Sequence, residues 1–299
     1  MAHRVICCID DSTDSLPVAR VAYKLAARLE AGLVLTAVWG ELLPPEVDWR
    51  SDPAVALVWL RLLESIPSEL SAEPRLRVET GDPAERLVAV ASSENAELIV
   101  VGSDGGGALE AAAFGALSPR LVGMAPCPVV VVPAAADDVC VDDGGVVCGI
   151  DGSPESLLAA RVAGDLAIRL DTPLALVHAS PRGEIGPAGW RLPFEAFLGP
   201  ERGAAFDPLE RAASVITPGL EPELILEQGD PAEALTRVAD RLSAGLIVSG
   251  CHGRGAIRSA LLASTAAVVT RSAGQPVVVV PPGALVAPGT GHYEVHAAA

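Results

Sequence analysis

The stretch GDPAE at residues 81–85 occurs again as GDPAE at residues 229–233, and this repetition indicates a duplicated fold. The match continues at the same offset of 148 residues to the run PVVVV, which occupies 128–132 and then 276–280. Nearer the amino terminus, VICCID at 5–10 pairs with VVCGID at 146–151, at an offset of 141. The chain is therefore a duplicated unit, and the second copy carries about seven more residues in its middle.

Each copy contains five short apolar runs, and helical spacing of apolar residues follows several of them. Runs without alternation are typical of strands that are buried on both faces of a parallel sheet. Strands that alternate with helices predict two tandem doubly wound α/β domains. The predicted strands are Val5–Ile9, Leu33–Val38, Leu76–Glu79, Leu98–Val101 and Val129–Val132, and then Val146–Ile150, Leu174–Val177, Leu224–Glu227, Leu246–Val248 and Val277–Val280.

The repeated GDPAE stretch predicts the start of a helix in each copy. Asp82 or Asp230 is the expected N-cap, and the proline that follows suits the first helical position. The segments at roughly 40–72 and 180–222 diverge most between the copies. We predict a first domain over 1–135, a linker over 136–144, a second domain over 145–283 and a flexible tail over 284–299.

Charge and composition limit the partners. The chain of 299 residues carries a net charge of −17 and has no basic run, which argues against nucleic acid and anionic membranes as partners. No apolar run reaches the ~18 residues of a membrane span, and the amino terminus lacks a signal pattern. These features predict a cytoplasmic protein. Six cysteines without a Cys-x-x-Cys pair favour buried reduced thiols over disulfides.

Glycines follow the fourth strand of each copy. The first copy reads GSDG at 102–105 and, after nine residues, Gly115-Ala116; the second reads GCHG at 250–253 and, after nine residues, Ala263-Ser264. Glycines at the carboxyl end of a parallel strand let backbone amides approach an anion. A plain strand-to-helix turn needs one glycine, so the doubled pattern favours a phosphate loop.

These features together resemble the universal stress protein family. They are the strand-ending aspartate, the glycine loop and the closing Pro-x-Val-Val-Val strand, and the resemblance covers nearly the full length of both copies. It implies a five-stranded parallel sheet between helices in each half, of the adenine-nucleotide alpha hydrolase type. It also implies a strand order unlike that of dinucleotide enzymes, and pairing of the halves through their fifth strands as an internal pseudo-dimer. Many members of the family bind ATP with magnesium, and others bind no nucleotide.

The resemblance also assigns ligand contacts. Adenine and ribose contacts fall on the ends of the first and second strands, and phosphate contacts fall on the glycine loop and the small pair after it. In the second half these positions are Ile150, Asp151, Ala179, Gly250, Gly253, Ala263 and Ser264; in the first half they are Ile9, Asp10, Val38, Gly102, Gly105, Gly115 and Ala116.

Both halves depart from the family pattern. In the first half, Ala116 stands where the family has a hydroxyl, and Asp104 adds a negative charge to the loop. In the second half Ser264 is kept, although Ala263 replaces the glycine before it. The second half is therefore predicted to be the better nucleotide site.

Signatures of common enzymes are missing from the sequence. Lys24 is the only lysine, and no P-loop, Gly-x-Ser-x-Gly, His-Glu-x-x-His or Gly-x-Gly-x-x-Gly occurs. We assign no catalytic and no metal-binding residue, and we interpret His178 as a strand-end residue rather than a general base. The resemblance favours an ATP-binding sensor or adaptor of the stress response.

Two alternatives stay open. One is a nucleotide-independent scaffold that binds a protein partner, and the other is a slow ATPase in which Asp151 or His252 orients water. The acidic surface suits a protein partner with a basic face. A homodimer of tandem chains is also compatible with the sequence.

Overall fold

A computed structural model describes residues 3–9, 15–39, 74–103, 117–133, 141, 144–180, 202–251 and 265–284. Within these ranges the chain forms ten strands and seven helices. The strands are β1 Arg4–Ile9, β2 Gly32–Trp39, β3 Arg75–Thr80, β4 Ala96–Gly102, β5 Val129–Val132, β6 Val146–Gly149, β7 Leu174–Ser180, β8 Glu223–Gln228, β9 Leu246–Gly250 and β10 Val277–Val280. The helices are α1 Ser15–Arg28, α2 Pro83–Glu94, α3 Leu117–Met124, α4 Pro154–Leu170, α5 Arg202–Ala213, α6 Pro231–Arg241 and α7 Thr265–Ser272. All ten predicted strands are confirmed.

The strands form one continuous sheet in the order β3-β2-β1-β4-β5-β10-β9-β6-β7-β8. Pairing is parallel within each half, and β5 meets β10 antiparallel, with Val130 opposite Val278. The predicted pairing of the halves through their fifth strands is therefore confirmed.

The expected difference in strand order is wrong. Each half has the order 3-2-1-4-5, which is the order of the first five strands in dinucleotide-binding folds. The physical reason is that the chain winds from a central first strand to one side and then to the other, which right-handed crossovers favour. Periodicity identifies the strands but does not say which of them are neighbours.

Apolar side chains cover both faces of the sheet, which explains the runs without alternation. On one face, Leu25 of α1 and Leu166 of α4 belong to a core cluster that also includes Val130 and Val278. Because β5 and β10 are adjacent, this cluster continues from one half into the other. On the opposite face α2, α3, α6 and α7 cover a second cluster, which contains Leu87 and Leu235.

Two arginines at equivalent positions bind across the junction of the halves. Arg169 Nη2 donates to the Leu29 carbonyl oxygen at 2.7 Å, and Arg28 Nη2 donates to the Leu170 carbonyl oxygen. Each pair of equivalent residues is 141 positions apart. Carbonyl groups at a helix carboxyl terminus lack partners within the helix. The ends of α1 and α4 therefore find donors in the opposite half.

A buried ion pair adds an asymmetric contact to this junction. The Glu97 side chain is 3% exposed and accepts hydrogen bonds from Arg169 Nη1 at 2.8 Å and Nη2 at 3.2 Å. The repeat offset of 148 places Gly245 at the equivalent position of the second half. Because glycine has no side chain, the second half has no carboxylate at the position equivalent to Glu97.

Two residues of the predicted linker, Val141 and Gly144, lie within the described ranges and both are buried. A Cβ at Gly144 would lie 2.2 Å from the Gly245 amide nitrogen, so only glycine fits there. Thr172 Oγ1 donates to the Gly144 carbonyl oxygen at 2.8 Å. The carboxyl-terminal end of the predicted linker is thus packed against the rest of the protein.

Candidate functional site

Strand register brings four of the predicted site residues to one edge of the sheet. Gly149 of β6 pairs with Val177 of β7, and Asp151 and Ala179 each follow two residues after this pair. Cys148 pairs with Val248 of β9, and Ile150 and Gly250 each follow two residues after that pair. Ligands of open α/β sheets bind outside the carboxyl ends of the strands. Ile150, Asp151, Ala179 and Gly250 therefore share the edge where this fold class binds ligands.

The Asp151 carboxylate is held by the helix that follows it. Its Oδ1 accepts from the Ser153 amide at 2.9 Å and from Ser153 Oγ at 2.5 Å. Ser153 is the N-cap of α4, and its Oγ accepts from the Ser156 amide at 3.2 Å. Gly152 between them has φ +78°, a conformation that glycine adopts readily. This turn fixes the carboxylate at the point where strand becomes helix.

The backbone just before Asp151 is bound to β7. The Ile150 amide donates to the Val177 carbonyl oxygen at 2.8 Å. The His178 ring contributes the second contact, because its Nδ1 lies 2.7 Å from the Ile150 carbonyl oxygen. His178, near the end of β7, thus binds the backbone of the neighbouring strand segment.

Gly250 lets the end of β9 approach α4 closely. A Cβ at this position would lie 3.0 Å from both the carbonyl carbon and the carbonyl oxygen of Glu155, in the first turn of α4. The next residue, Cys251, donates its amide to the Val280 carbonyl oxygen at 3.1 Å. The glycine therefore brings the start of the predicted phosphate loop next to the amino terminus of α4.

The first half shows part of the equivalent edge. Ile9 is buried and pairs with Ala37, the residue before Val38, while Gly102 ends β4. Ser103 donates its amide to the Val132 carbonyl oxygen at 2.8 Å, as Cys251 does to Val280. The remaining predicted contacts lie outside the described residues; they are Asp10, Gly105, Gly115, Ala116, Gly253, Ala263 and Ser264.

Two features of this edge were not predicted as part of the site. Ser153 holds the carboxylate, and His178 holds the Ile150 carbonyl. A signal for the first existed in Asp151-Gly-Ser-Pro, because serine before a proline at the first helical position is a typical N-cap. The second depends on the register between β6 and β7, which periodicity does not give.

Two negative findings apply to the part of the chain that the structure describes. No group of three or more His, Cys, Asp or Glu side chains there is arranged to hold a metal ion. Among the helices of these ranges, none has the length and apolar character that a bilayer span requires.

The fold defines a tandem of two doubly wound α/β domains joined into one sheet. The chain belongs to the universal stress protein family: the model of that family matches residues 1–133 and again residues 145–281. Universal stress protein Rv2005c of Mycobacterium tuberculosis is 33% identical over 254 residues, which cover 81% of this chain and 82% of the relative.

Solved structures share the fold. The crystal structure of a universal stress protein from Archaeoglobus fulgidus superposes with a TM-score of 0.65 at 20% identity, covering 93% of this chain and 98% of its own. A universal stress protein solved in complex with cAMP is 30% identical and aligns with 46% of this chain and 97% of its own, at a TM-score of 0.36.

Proposed function

We propose that the second half binds an adenine nucleotide, ATP with Mg²⁺, at the edge formed by Ile150, Asp151, Ala179 and Gly250. In this proposal nucleotide binding makes the protein a sensor or adaptor of the stress response. The observation that carries it is the Asp151 carboxylate, which Ser153 holds at the carboxyl end of a central parallel strand.

The chemistry of this edge suits a nucleoside. An ionised carboxylate only accepts hydrogen bonds and has about four acceptor positions, whereas ribose hydroxyls are donors. A carboxylate that is already held in one orientation avoids part of the entropic cost of ordering on binding. Ala179 at the same edge of the sheet is small and partly exposed, which suits a planar base near the strand ends. The described residues therefore fit the nucleoside part of the ligand.

The phosphates are assigned to the loop that begins at Gly250. By resemblance, the amides of Gly253 and Ser264 would contact them, and α4 presents its amino terminus close to Gly250. Magnesium usually keeps several waters and binds proteins through few carboxylates together with substrate phosphates. It would supply charge neutralisation for the triphosphate.

Calorimetric titration of MgATP into nucleotide-stripped protein tests this proposal. We expect about one equivalent to bind, with loss of binding in Asp151→Ala and in Gly253→Val. The matched variants in the first half, Asp10→Ala and Gly105→Val, should bind as the wild type does. Circular dichroism checks that each variant is folded.

The titration also distinguishes the alternatives. Unchanged affinity in both Asp151→Ala and Gly253→Val would rule out this site. A wild type that gives no heat and no thermal shift at millimolar MgATP would favour the nucleotide-independent scaffold. Phosphate release over hours that depends on Asp151 would instead identify a slow ATPase.

A further inference from the structure

We propose that His178 is a positioning residue for the nucleotide site of the second half. It holds the Ile150 carbonyl and thereby fixes the peptide that carries Asp151. The inference rests on the proposed function, and it adds a specific role for a side chain that the family pattern does not assign.

Residues 150–153, which carry the Asp151 carboxylate, are held at several points. Both backbone polar groups of Ile150 are bound to β7, the amide to Val177 at 2.8 Å and the carbonyl to His178 at 2.7 Å. Three residues after Ile150, Ser153 binds the Asp151 carboxylate. The turn is therefore fixed on the strand side by His178 and on the helix side by Ser153. Gly152 between these points is intrinsically permissive, so without His178 the strand side of the turn is held by the Ile150 amide alone and the position of Asp151 is less well fixed.

The contact with Ile150 determines which nitrogen of the His178 ring carries the hydrogen. A carbonyl oxygen only accepts hydrogen bonds, so His178 Nδ1 must carry the hydrogen. In the neutral ring Nε2 is then unprotonated. The contact with Ile150 thus selects the Nδ1–H tautomer, and this can be measured without any ligand.

The first half has no histidine at the position equivalent to His178. The offset of 141 places Ala37 at the position equivalent to His178. Ala37 pairs with Ile9 and is buried, and its methyl group cannot donate to a carbonyl. The extra contact is therefore a property of the second half, the half in which we place the nucleotide.

Substitutions at position 178 separate a positioning role from direct ligand contact. Asparagine carries its amide nitrogen on Cγ, as histidine carries Nδ1, so His178→Asn keeps a donor in nearly the same place. Glutamine carries its amide one bond further and mimics Nε2. We expect His178→Asn to bind MgATP within about twofold of the wild type, and His178→Ala and His178→Gln to bind about tenfold more weakly, the value of one lost hydrogen bond.

Ser180→Ala is the matched control, because Ser180 lies two residues along the same strand. It should bind as the wild type does. Retained binding in His178→Gln with loss in His178→Asn would overturn the positioning role in favour of direct contact through Nε2. If His178→Ala bound MgATP with wild-type affinity, His178 would have no role in nucleotide binding.

The ¹⁵N spectrum of the nucleotide-free protein gives an independent readout, which a merely space-filling side chain would not determine. We expect the His178 signals of the neutral ring to show protonated Nδ1 and unprotonated Nε2. A wild type that binds MgATP but shows the Nε2–H tautomer would overturn this inference alone. A wild type with the expected tautomer and no MgATP binding would overturn the proposed function, and the nucleotide role of His178 with it.

Discussion

At the scale of single residues, burial makes three cysteines chemically inert. Burial raises the pKa of the Cys7 and Cys148 thiols far above the ordinary value and raises the pKa of Cys127 to about 12, with a smaller contribution from Glu97. The reactive form of cysteine is the thiolate. None of the five described cysteines is in a disulfide, as the sequence predicted for them.

We therefore expect iodoacetamide at pH 8 to leave Cys7, Cys127 and Cys148 unmodified in the native protein. Peptide mapping by mass spectrometry after denaturation checks this. Cys8 is partly exposed and serves as the internal reference, since it should be labelled before these three. Labelling of Cys127 at the rate of Cys8 would contradict the prediction.

Gly250 allows a second test at this scale. Gly250→Ala introduces a Cβ at 3.0 Å from the Glu155 backbone, and relief of this contact requires a backbone shift. We expect a loss of about 1–3 kcal/mol in the free energy of unfolding, the usual cost of overpacking. Gly274→Ala is the control, because a Cβ there meets no atom within 4 Å. Equal urea midpoints for the two variants would show that β9 and α4 are not in tight contact.

At the scale of the element, the two copies of the capped helix differ in the hydrogen-bond donors that bind the capping aspartate. Asp82 caps α2 by accepting from the Glu85 amide at 3.1 Å, and Asp230 caps α6 through the Ala232 and Glu233 amides. Asp82 also accepts from Arg120 of α3, at 2.8 and 3.1 Å. This links α2 to the helix that follows the first glycine loop.

We expect both Asp82→Ala and Asp230→Ala to lower the free energy of unfolding by about 1 kcal/mol for the lost cap. Asp82→Ala should cost more at low salt because it also removes the contact with Arg120. That excess should shrink in 1 M NaCl, which screens exposed charges. Urea unfolding at both salt concentrations measures the difference. A salt-independent excess would mean that the ion pair does not contribute.

The pH dependence of the same site has a defined sign. Hydrogen bonds from Arg120, and then from the Glu85 amide, lower the pKa of Asp82 below its ordinary value. Its contribution to stability is therefore present at neutral pH and is lost as the pH falls through the lowered pKa. Below that pKa, the excess cost of Asp82→Ala over Asp230→Ala should disappear in urea unfolding.

Some helices and strands could be predicted from the sequence, and others could not. Strands and capped helices followed from local signals, such as the proline after Asp82. Helix α5 was not predicted, because it lies in the divergent segment and Pro208 stands inside it, where proline normally ends a helix. The position of Asp151 followed from the repeat, but its contacts with Ser153 and the contact of His178 with Ile150 depend on neighbours that only the folded sheet brings together.

At the scale of the whole molecule, the halves are joined by the β5–β10 pairing, a shared apolar cluster and the arginine contacts at the ends of α1 and α4. The Glu97–Arg169 pair is a largely buried ionic contact of this junction, since the two side chains are 3% and 22% exposed. Removing Glu97 would take away the bidentate carboxylate of Arg169 and leave this charge with Asp165 at 3.5 Å and the Leu29 carbonyl oxygen.

We expect Glu97→Gln to lower the free energy of unfolding by about 3 kcal/mol, the low end for a buried pair because Arg169 is 22% exposed. Glu227→Gln is the control, since its partners Arg237 and Arg241 are half exposed and such pairs contribute about 1 kcal/mol or less. Urea denaturation measures both. Equal losses would contradict the assignment of Glu97 to a desolvated contact.

The short connection between β5 and β6 has a consequence for how the two copies can diverge. Residues 133–145 tie each half to its partner at an effective concentration on the order of millimolar. A contact maintained in this way does not have to be strong enough to assemble two separate chains from dilute solution. Covalent fusion therefore relaxes selection on each copy: one can give up its ligand loop and serve as a permanent subunit of the other, while the assembly stays intact.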